Sequence, residues 1–403
     1  MGPSDLPALL AGAAEVIPED GLAHKLALGR PLRVKLGLDP TAADVTLGWA
    51  VVLRKLRQFQ DLGHVAVLIV GDFTARVGDP SGKSETRPRL SKEVVQDYAD
   101  HLLDQFWRIL DRERTEVRYN AEWLEGMDME GVLKLTASYT VARMLERDDF
   151  AKRYAEGRPI SILEFMYPLL QGMDSVAVQA DVELGGNDQK FNLLVGRELQ
   201  RDHGQEPQVA LTMPLLVGTD GTQKMSQSLG NYVGIQESAD DMFGKLLRVP
   251  DELIPEYRRL VLDFFGDANE AERVAAGISD GTRDPWQEKR RMARQVVDLY
   301  HGAGAGEDAQ VRFDLVHKEH EIPDDVPEMQ IPASTLRDGR IWLPRLLADT
   351  GLVGSNAEGR RLLAQGGVRL DGDVVGNPDA ELEPGDLRGK VIQVGRRKFL
   401  RLR

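Results

Sequence analysis

The sequence predicts an α/β fold built on a doubly wound, Rossmann-type parallel sheet, followed by an all-α segment and a small α+β tail. Three observations predict it. The β-like run Arg33–Leu38, a Gly/Pro/Asp/Thr-rich loop, a helical pattern over 51–62 and the apolar run Val65–Val70 follow one another, which is the order of a βαβ unit. After about residue 232 the apolar spacing becomes that of helices alone. The last 63 residues mix short helical and short extended patterns, behind a stretch rich in Pro, Asp and Glu.

Taken in order, each element has a local cause. The helix over 51–62 puts Val52, Leu53, Leu56 and Phe59 on one face and stops at Gly63. Val65–Val70 has no polar residue, as expected of a strand covered on both faces. Residues 91–110 and 129–145 read as helices, the first with Ser91 as N-cap. Strand character returns over 176–184, helix over 190–199, and an apolar strand over 210–217 leads into the Gly/Ser-rich loop 218–230. Residues 239–247, 252–265 and 284–300 read as helices. In the tail, 342–349 and 356–365 read as helices, and 367–370, 374–375, Val391–Val394 and Lys398–Leu402 as strands. The expected domains are 1–231, 232–321, a linker over 322–340, and 341–403. Strand ends of such sheets carry the ligands, so residues 39–49 and 71–82 are the first places to look for chemistry.

Composition narrows the classes. A chain of 403 residues exceeds one ordinary core. With 42% hydrophobic and 29% charged residues it reads as a soluble globular protein. No apolar run approaches the roughly 18 residues of a membrane span, and residues 1–10 lack the pattern of a secretory leader. The absence of cysteine excludes disulfides and thiolate metal sites and fits a cytoplasmic protein. Of the seven histidines, only His317 and His320 share a helix-like spacing, and no third ligand accompanies them, so no metal site is expected. The net charge of −14 argues against indiscriminate nucleic-acid binding. Residues 341–403 nevertheless carry +3 against −17 for the remainder. That contrast fits a local polyanion contact in the tail, or a chance fluctuation in a short segment.

Several segments could carry chemistry. In D-P-T-A-A-D-V-T-L-G-W (residues 39–49), Thr41 and Thr46 offer hydroxyls near a helix N-terminus, where free N–H groups and the helix dipole favour phosphate. Gly48 would allow close backbone approach. A plain helix cap by Asp44 or Thr46 explains the same residues. Residues 71–87 carry Asp79, Lys83 and Arg87 in a glycine-rich loop, suited to a charged ligand or simply to solvent. Lys224, in G-T-Q-K-M-S-Q-S, is placed to stabilise developing phosphate charge, or is merely solvated. Tyr167, Gln171 and Asp174 share one helical face, which makes either a polar ligand pocket or an internal hydrogen-bond network. Gly185-Gly186-Asn187-Asp188-Gln189 is a further polar strand end or a turn.

In order along the chain, D-P-T, F-T-A-R-V-G-D-P-S-G-K, R-Y-N-A-E-W-L, Y-P-L-L-Q-G-M-D, D-V-E-L-G-G-N-D-Q and K-M-S-x-S-L-G-N-Y resemble the bacterial tyrosyl-tRNA synthetases, of the class I aminoacyl-tRNA synthetases. Residues 346–375 resemble an S4-type RNA-binding domain. The resemblance implies a homodimer that uses tyrosine, ATP with Mg²⁺ and tRNA-Tyr, with no tightly bound cofactor and no membrane. It implies that Asp79, Tyr167 and Gln171 hold the α-ammonium of tyrosine and that Asp174 accepts from its phenol. It assigns Gly186 and Asp188 to the ribose, with Gly48 on the nucleotide side. Gln189 falls near the reacting carboxylate, and Thr41, Lys83, Arg87 and Lys224 around the phosphates. Asn120 and Trp123 line or support the pocket.

Two signatures depart from the family pattern. H-x-G-H is Thr46-Leu47-Gly48-Trp49, and K-M-S-K-S has Gln227 for its second lysine. Asn187 and Met173 also replace the usual Thr or Ser, and Tyr. The departures cluster on the ATP side. They leave three readings: a ligase with altered rate, a binding protein that no longer activates tyrosine, and a ligase for another acceptor.

Overall fold

The computed structural model describes residues 5–41, 44–80, 91–263, 269–315, 326–332, 335–337, 339–395 and 398–403. The chain divides into a unit of residues 1–303 and a unit of residues 304–403.

The larger unit is organised on a six-stranded sheet. In chain order its strands are β1 (Glu15–Ile17), β2 (Arg33–Leu38), β3 (Val65–Val70), β4 (Thr115–Tyr119), β5 (Val182–Gly186) and β6 (Val209–Met213), and their spatial order is β1-β6-β5-β2-β3-β4. The ladders from β6 to β4 are parallel, and only β1 runs antiparallel, on the edge beside β6. From β2 the chain first builds β3 and β4 on one side, then β5 and β6 on the other. The order therefore reverses at β2/β5, and the carboxyl ends of those strands form the crevice where such sheets bind ligands. Val67, Leu68, Ile69 and Val70 are fully buried, as the apolar run requires.

The helix Leu47–Asp61 follows β2. It begins four residues before the periodicity suggests, because Thr46 caps it by accepting from the Trp49 amide. Val51 takes the buried face in place of Val52, with Leu53, Leu56 and Phe59 beside it. The segment expected as one helix over 129–145 is two, Met129–Ala137 and Val141–Met144, because Thr140 caps the second. The expected strand over 176–184 is shorter. Residues up to Val178 complete the helix Ile162–Val178, which Gln179 ends with φ of 50°, and β5 starts at Val182. The short apolar run 176–178 does not by itself distinguish buried helix from buried strand.

Packing of Ile162–Val178 on the helix Lys190–Asp202 depends on glycine. A Cβ on Gly172 would lie 3.3 Å from Gly196 Cα, and one on Gly196 would lie 2.8 Å from Gln208 Nε2 and 3.1 Å from Ser175 Oγ. After residue 231 the described residues of this unit are helical: Ala239–Leu246, Ile254–Tyr257, a π-helical turn Arg258–Leu262, Glu270–Ser279 and Pro285–His301.

Among the described residues the second unit holds a five-stranded and a three-stranded sheet. Its core gathers Ile341, Leu343, Leu346, Leu347, Leu363, Leu387, Ile392 and Leu402. Part of the stretch expected as a linker is built into these sheets. Glu328–Met329 pairs with Lys398–Leu402, and Leu336–Arg337 pairs with Arg340–Trp342. Low hydrophobicity misled the reading there, since short edge strands need only backbone pairing.

Candidate active site

Four of the five parallel strands deliver a polar residue or a glycine at their carboxyl ends. Asp39 follows β2, Gly71 follows β3, Asn120 follows β4, and Gly186 closes β5. The Gly71 amide donates to the Leu38 carbonyl at 2.7 Å. A Cβ at Gly71 would overlap Asp39 Oδ1 and Thr74 Oγ1, so only glycine lets the two loops meet. Thr74 Oγ1 donates to Asp39 Oδ1 at 2.7 Å and accepts from Asn120 Nδ2 at 2.9 Å. Tyr167 donates its hydroxyl hydrogen to Asp39 Oδ2 at 2.8 Å.

The helix Ile162–Val178 is anchored by a capping box between Ser161 and Glu164, and Glu164 also accepts from Arg153. Its inward face presents Tyr167, Gln171 and Asp174. Asp174 is 3% exposed; Trp123 Nε1 donates to its Oδ1 at 3.0 Å and Asn120 Nδ2 approaches its Oδ2 at 3.5 Å. Burial raises its pKa to about 7, against the opposing charge of Lys35 and the hydrogen bonds of Trp123 and Asn120. Burial also pushes the Tyr167 phenol well above its ordinary value, and the charges of Asp39 and Asp79 add to the effect.

A chain of amides continues from Gln171. Asn192 Nδ2 donates to Gln171 Oε1 and to Gln189 Oε1, each at 3.0 Å, and Gln189 Nε2 donates to Asp79 Oδ2 at 2.8 Å. The sequence reading named Asp79, Gln171 and Gln189, and the structure brings these three together through Asn192. It missed Asn192, Asp39 and Thr74, and beneath them Lys35 and Glu183. A signal for the last two was available: each is a buried charged residue with apolar neighbours on both sides in a strand, in V-K-L and V-E-L.

The two altered signatures lie against one another. Thr46 is buried as a helix cap, and the Leu47 amide donates to the Val233 carbonyl at 2.9 Å. The Thr41 amide donates to the Asp39 carbonyl at 2.8 Å. Gly48 lies against Met225, whose main chain is 3.9 Å from a Cβ built there. Gln227 donates to the Asp44 carbonyl, and Tyr232 donates to Asp44 Oδ2 at 3.2 Å. Lys224 pairs with Asp188 Oδ2 at 2.7 Å, next to Gly186. Trp49 stacks on Phe106, with centroids 6.4 Å apart and planes 13° apart, and remains 40% exposed. Lys83, Arg87, His317 and His320 lie outside the described residues.

Residues 27–318 match the family model described as tRNA synthetases class I (W and Y), and residues 341–387 match that of the S4 domain. Over 398 residues the chain is 52% identical to the tyrosine–tRNA ligase of Moorella thermoacetica, covering 98% of this chain and 94% of the relative. The chain belongs to the tyrosyl-tRNA synthetase family. Similarity to the tyrosine–tRNA ligase of Geobacter sulfurreducens is of the same order, 51% over 395 residues, with 97% of this chain and 96% of the relative covered. The fold resembles that of the tyrosyl-tRNA synthetase from Archaeoglobus fulgidus solved with L-tyrosine, at a TM-score of 0.62 and 23% identity, covering 77% of this chain and 98% of the other. A class I synthetase fold with an S4 tail thus carries both the hydrogen-bonded row around Gln171 and Asp174 and the altered residues Trp49 and Gln227.

Proposed function

We propose that the chain is a tyrosine–tRNA ligase that activates tyrosine with ATP and transfers it to tRNA-Tyr. The observation that carries this reading is the buried Asp174, held by Trp123 and Asn120 at one end of the pocket, where it can accept from a phenol. Tyr167, Asp79 and Gln171 then face the α-ammonium at the other end. A tyrosine carboxylate oxygen attacks the α-phosphorus of ATP, the bond to the bridging oxygen breaks, and pyrophosphate leaves. The 3′-terminal adenosine hydroxyl of the tRNA next attacks the tyrosyl carbonyl and releases AMP. No covalent enzyme intermediate is needed. The protein contributes alignment and charge stabilisation. Lys224, Thr41, Lys83 and Arg87 act on the leaving phosphates, Gly48, Gly186 and Asp188 on the nucleoside, and Gln189 near the reacting carboxylate. Mg²⁺ enters with the substrate as MgATP.

The tail supplies a mildly basic surface for tRNA, and the cytoplasm is the compartment in which such a product is used. A second copy of the chain is the partner we assign to the exposed apolar residues concentrated between 129 and 162. Met129, Leu133, Val141, Tyr154 and Ile162 are 72%, 62%, 61%, 69% and 80% exposed. Tyrosine-dependent exchange of labelled pyrophosphate into ATP, followed by charging of tRNA-Tyr, tests the reading. Tyrosine binding without exchange refutes the ligase and leaves a binding protein.

A further inference from the structure

At the centre of the sheet the register of β2 and β5 sets Lys35 beside Glu183. The two side chains are 0% and 1% exposed, and Nζ lies 2.8 Å from Oε1. The remaining donors of Lys35 meet Ser175 Oγ at 2.9 Å and the Gln171 carbonyl at 3.1 Å. Glu183 in turn accepts from Ser175 Oγ at 3.0 Å, from Gln171 Nε2 at 3.3 Å and from Gln208 Nε2. Both ions are therefore fully hydrogen-bonded. Such pairs can often be exchanged for apolar residues at no loss of stability, so folding alone does not account for this one.

Its contacts point to another role. Both residues bond to the helix segment 171–175, which contains the pocket residues Gln171 and Asp174. An amide can face either way, but a carboxylate only accepts. Glu183 therefore compels Gln171 to turn its nitrogen inward and its oxygen toward Asn192. Arg147 Nη1, which only donates, reaches Asn192 Oδ1 at 3.3 Å and fixes that amide in the same sense. Asn192 then orients Gln189, and Gln189 reaches Asp79. The polarity of the whole row follows from Glu183 at one end and Arg147 at its middle. Lys35 holds the same helix on either side of Asp174, at the Gln171 carbonyl and at Ser175 Oγ; its charge favours an ionised Asp174, and that of Glu183 disfavours it.

We infer that the buried Lys35–Glu183 pair is a positioning device for the amino-acid pocket, orienting Gln171 at the ammonium end and fixing the helix segment 171–175 that carries Asp174 at the phenol end. The pair touches no substrate. It makes the pocket selective for an amino acid whose aromatic ring bears a hydroxyl. This inference rests on tyrosine being the ligand proposed above.

The test uses the full-length chain and pyrophosphate exchange, with KM measured separately for tyrosine and for ATP, and with phenylalanine as competitor. Glu183→Gln keeps the volume but introduces a donor facing Gln171. Lys35→Met removes the cation. Because each single change leaves an unpaired buried partner, Lys35→Met/Glu183→Met removes both charges together. We expect the tyrosine KM to rise about tenfold or more in each folded variant, from the loss of hydrogen bonds to a charged group. The ATP KM should stay within about twofold. Preference for tyrosine over phenylalanine should fall about tenfold wherever Lys35 is replaced. The double variant should melt close to the unaltered protein yet retain the weakened tyrosine KM. A folded variant with unchanged tyrosine KM and unchanged preference overturns the inference, as does a parallel rise of both KM values that tracks a falling Tm. If the unaltered protein shows no exchange with tyrosine, the ligase reading fails and takes this inference with it. Exchange that survives unchanged in the variants removes only the inference.

Discussion

Tyr167 donates to Asp39 at 2.8 Å across 128 residues of sequence, and this bond ties the helix Ile162–Val178 to the end of β2. It links the helical face that carries Gln171 and Asp174 to the loop that begins the first signature. Tyr167→Phe should raise the tyrosine KM by about tenfold, the scale of one hydrogen bond to a charged group. Asp39→Asn should act through the same bond, so the double variant should cost clearly less than the sum of the two single changes. Additive effects in exchange kinetics would show that the two residues work independently.

Asp174 predicts a pH dependence. Its carboxyl accepts most strongly from a phenol when ionised, and burial raises its pKa to about 7 in the free protein. The value of kcat/KM for tyrosine should therefore drop as pH falls through about 7, and Asp174→Asn should lose both this limb and the preference over phenylalanine. Stability follows the opposite sense. A carboxyl whose pKa rises on folding binds its proton more tightly in the folded state, so its contribution is most favourable below the ordinary value of 3.8 and declines as pH rises to about 7. Urea unfolding at pH 5 and 7.5 should show that decline in the unaltered protein and a smaller one in Asp174→Asn.

Trp49 and Gln227 set the expectation for the nucleotide side. Trp49→His with Gln227→Lys should raise kcat by about tenfold to a hundredfold, as restored donors near the phosphates would. Loss of the stack on Phe106 should lower stability by about 0.5–1.5 kcal/mol. Single-turnover formation of tyrosyl-adenylate is the measurement, and an unchanged rate would mean that these two residues do not limit activation.

Lys224 pairs with Asp188 across 36 residues, at 2.7 Å and on the surface. Lys224→Met should reduce kcat by about a hundredfold if its charge stabilises the departing pyrophosphate, with the tyrosine KM nearly unchanged. A change in tyrosine KM alone would place the residue outside that role.

Gly196→Ala tests the packing beneath the pocket. The added methyl would meet Gln208 Nε2 at 2.8 Å. A loss of about 1–3 kcal/mol is expected from overpacking, read by chemical denaturation, and the tyrosine KM should rise as Gln208 is pushed against Glu183.

The sequence by itself determined the local and periodic features. Runs such as Val65–Val70 and the βαβ order specified a parallel sheet, and the spacing of Tyr167, Gln171 and Asp174 put them on one helical face, because side-chain direction repeats with a fixed period. Ordered motifs specified the family. Tertiary structure alone decided who meets whom. Lys35 and Glu183 are neighbours only because β2 and β5, far apart in the chain, are adjacent where the strand order reverses. Trp49 lies on Phe106 because the helices Leu47–Asp61 and Lys92–Phe106 come together there. Glu328–Met329 became a strand by pairing with Lys398–Leu402, about seventy residues away. Hydrogen bonds and ring contacts have a reach of only a few ångströms, and sequence distance does not report that separation once the chain has crossed the sheet.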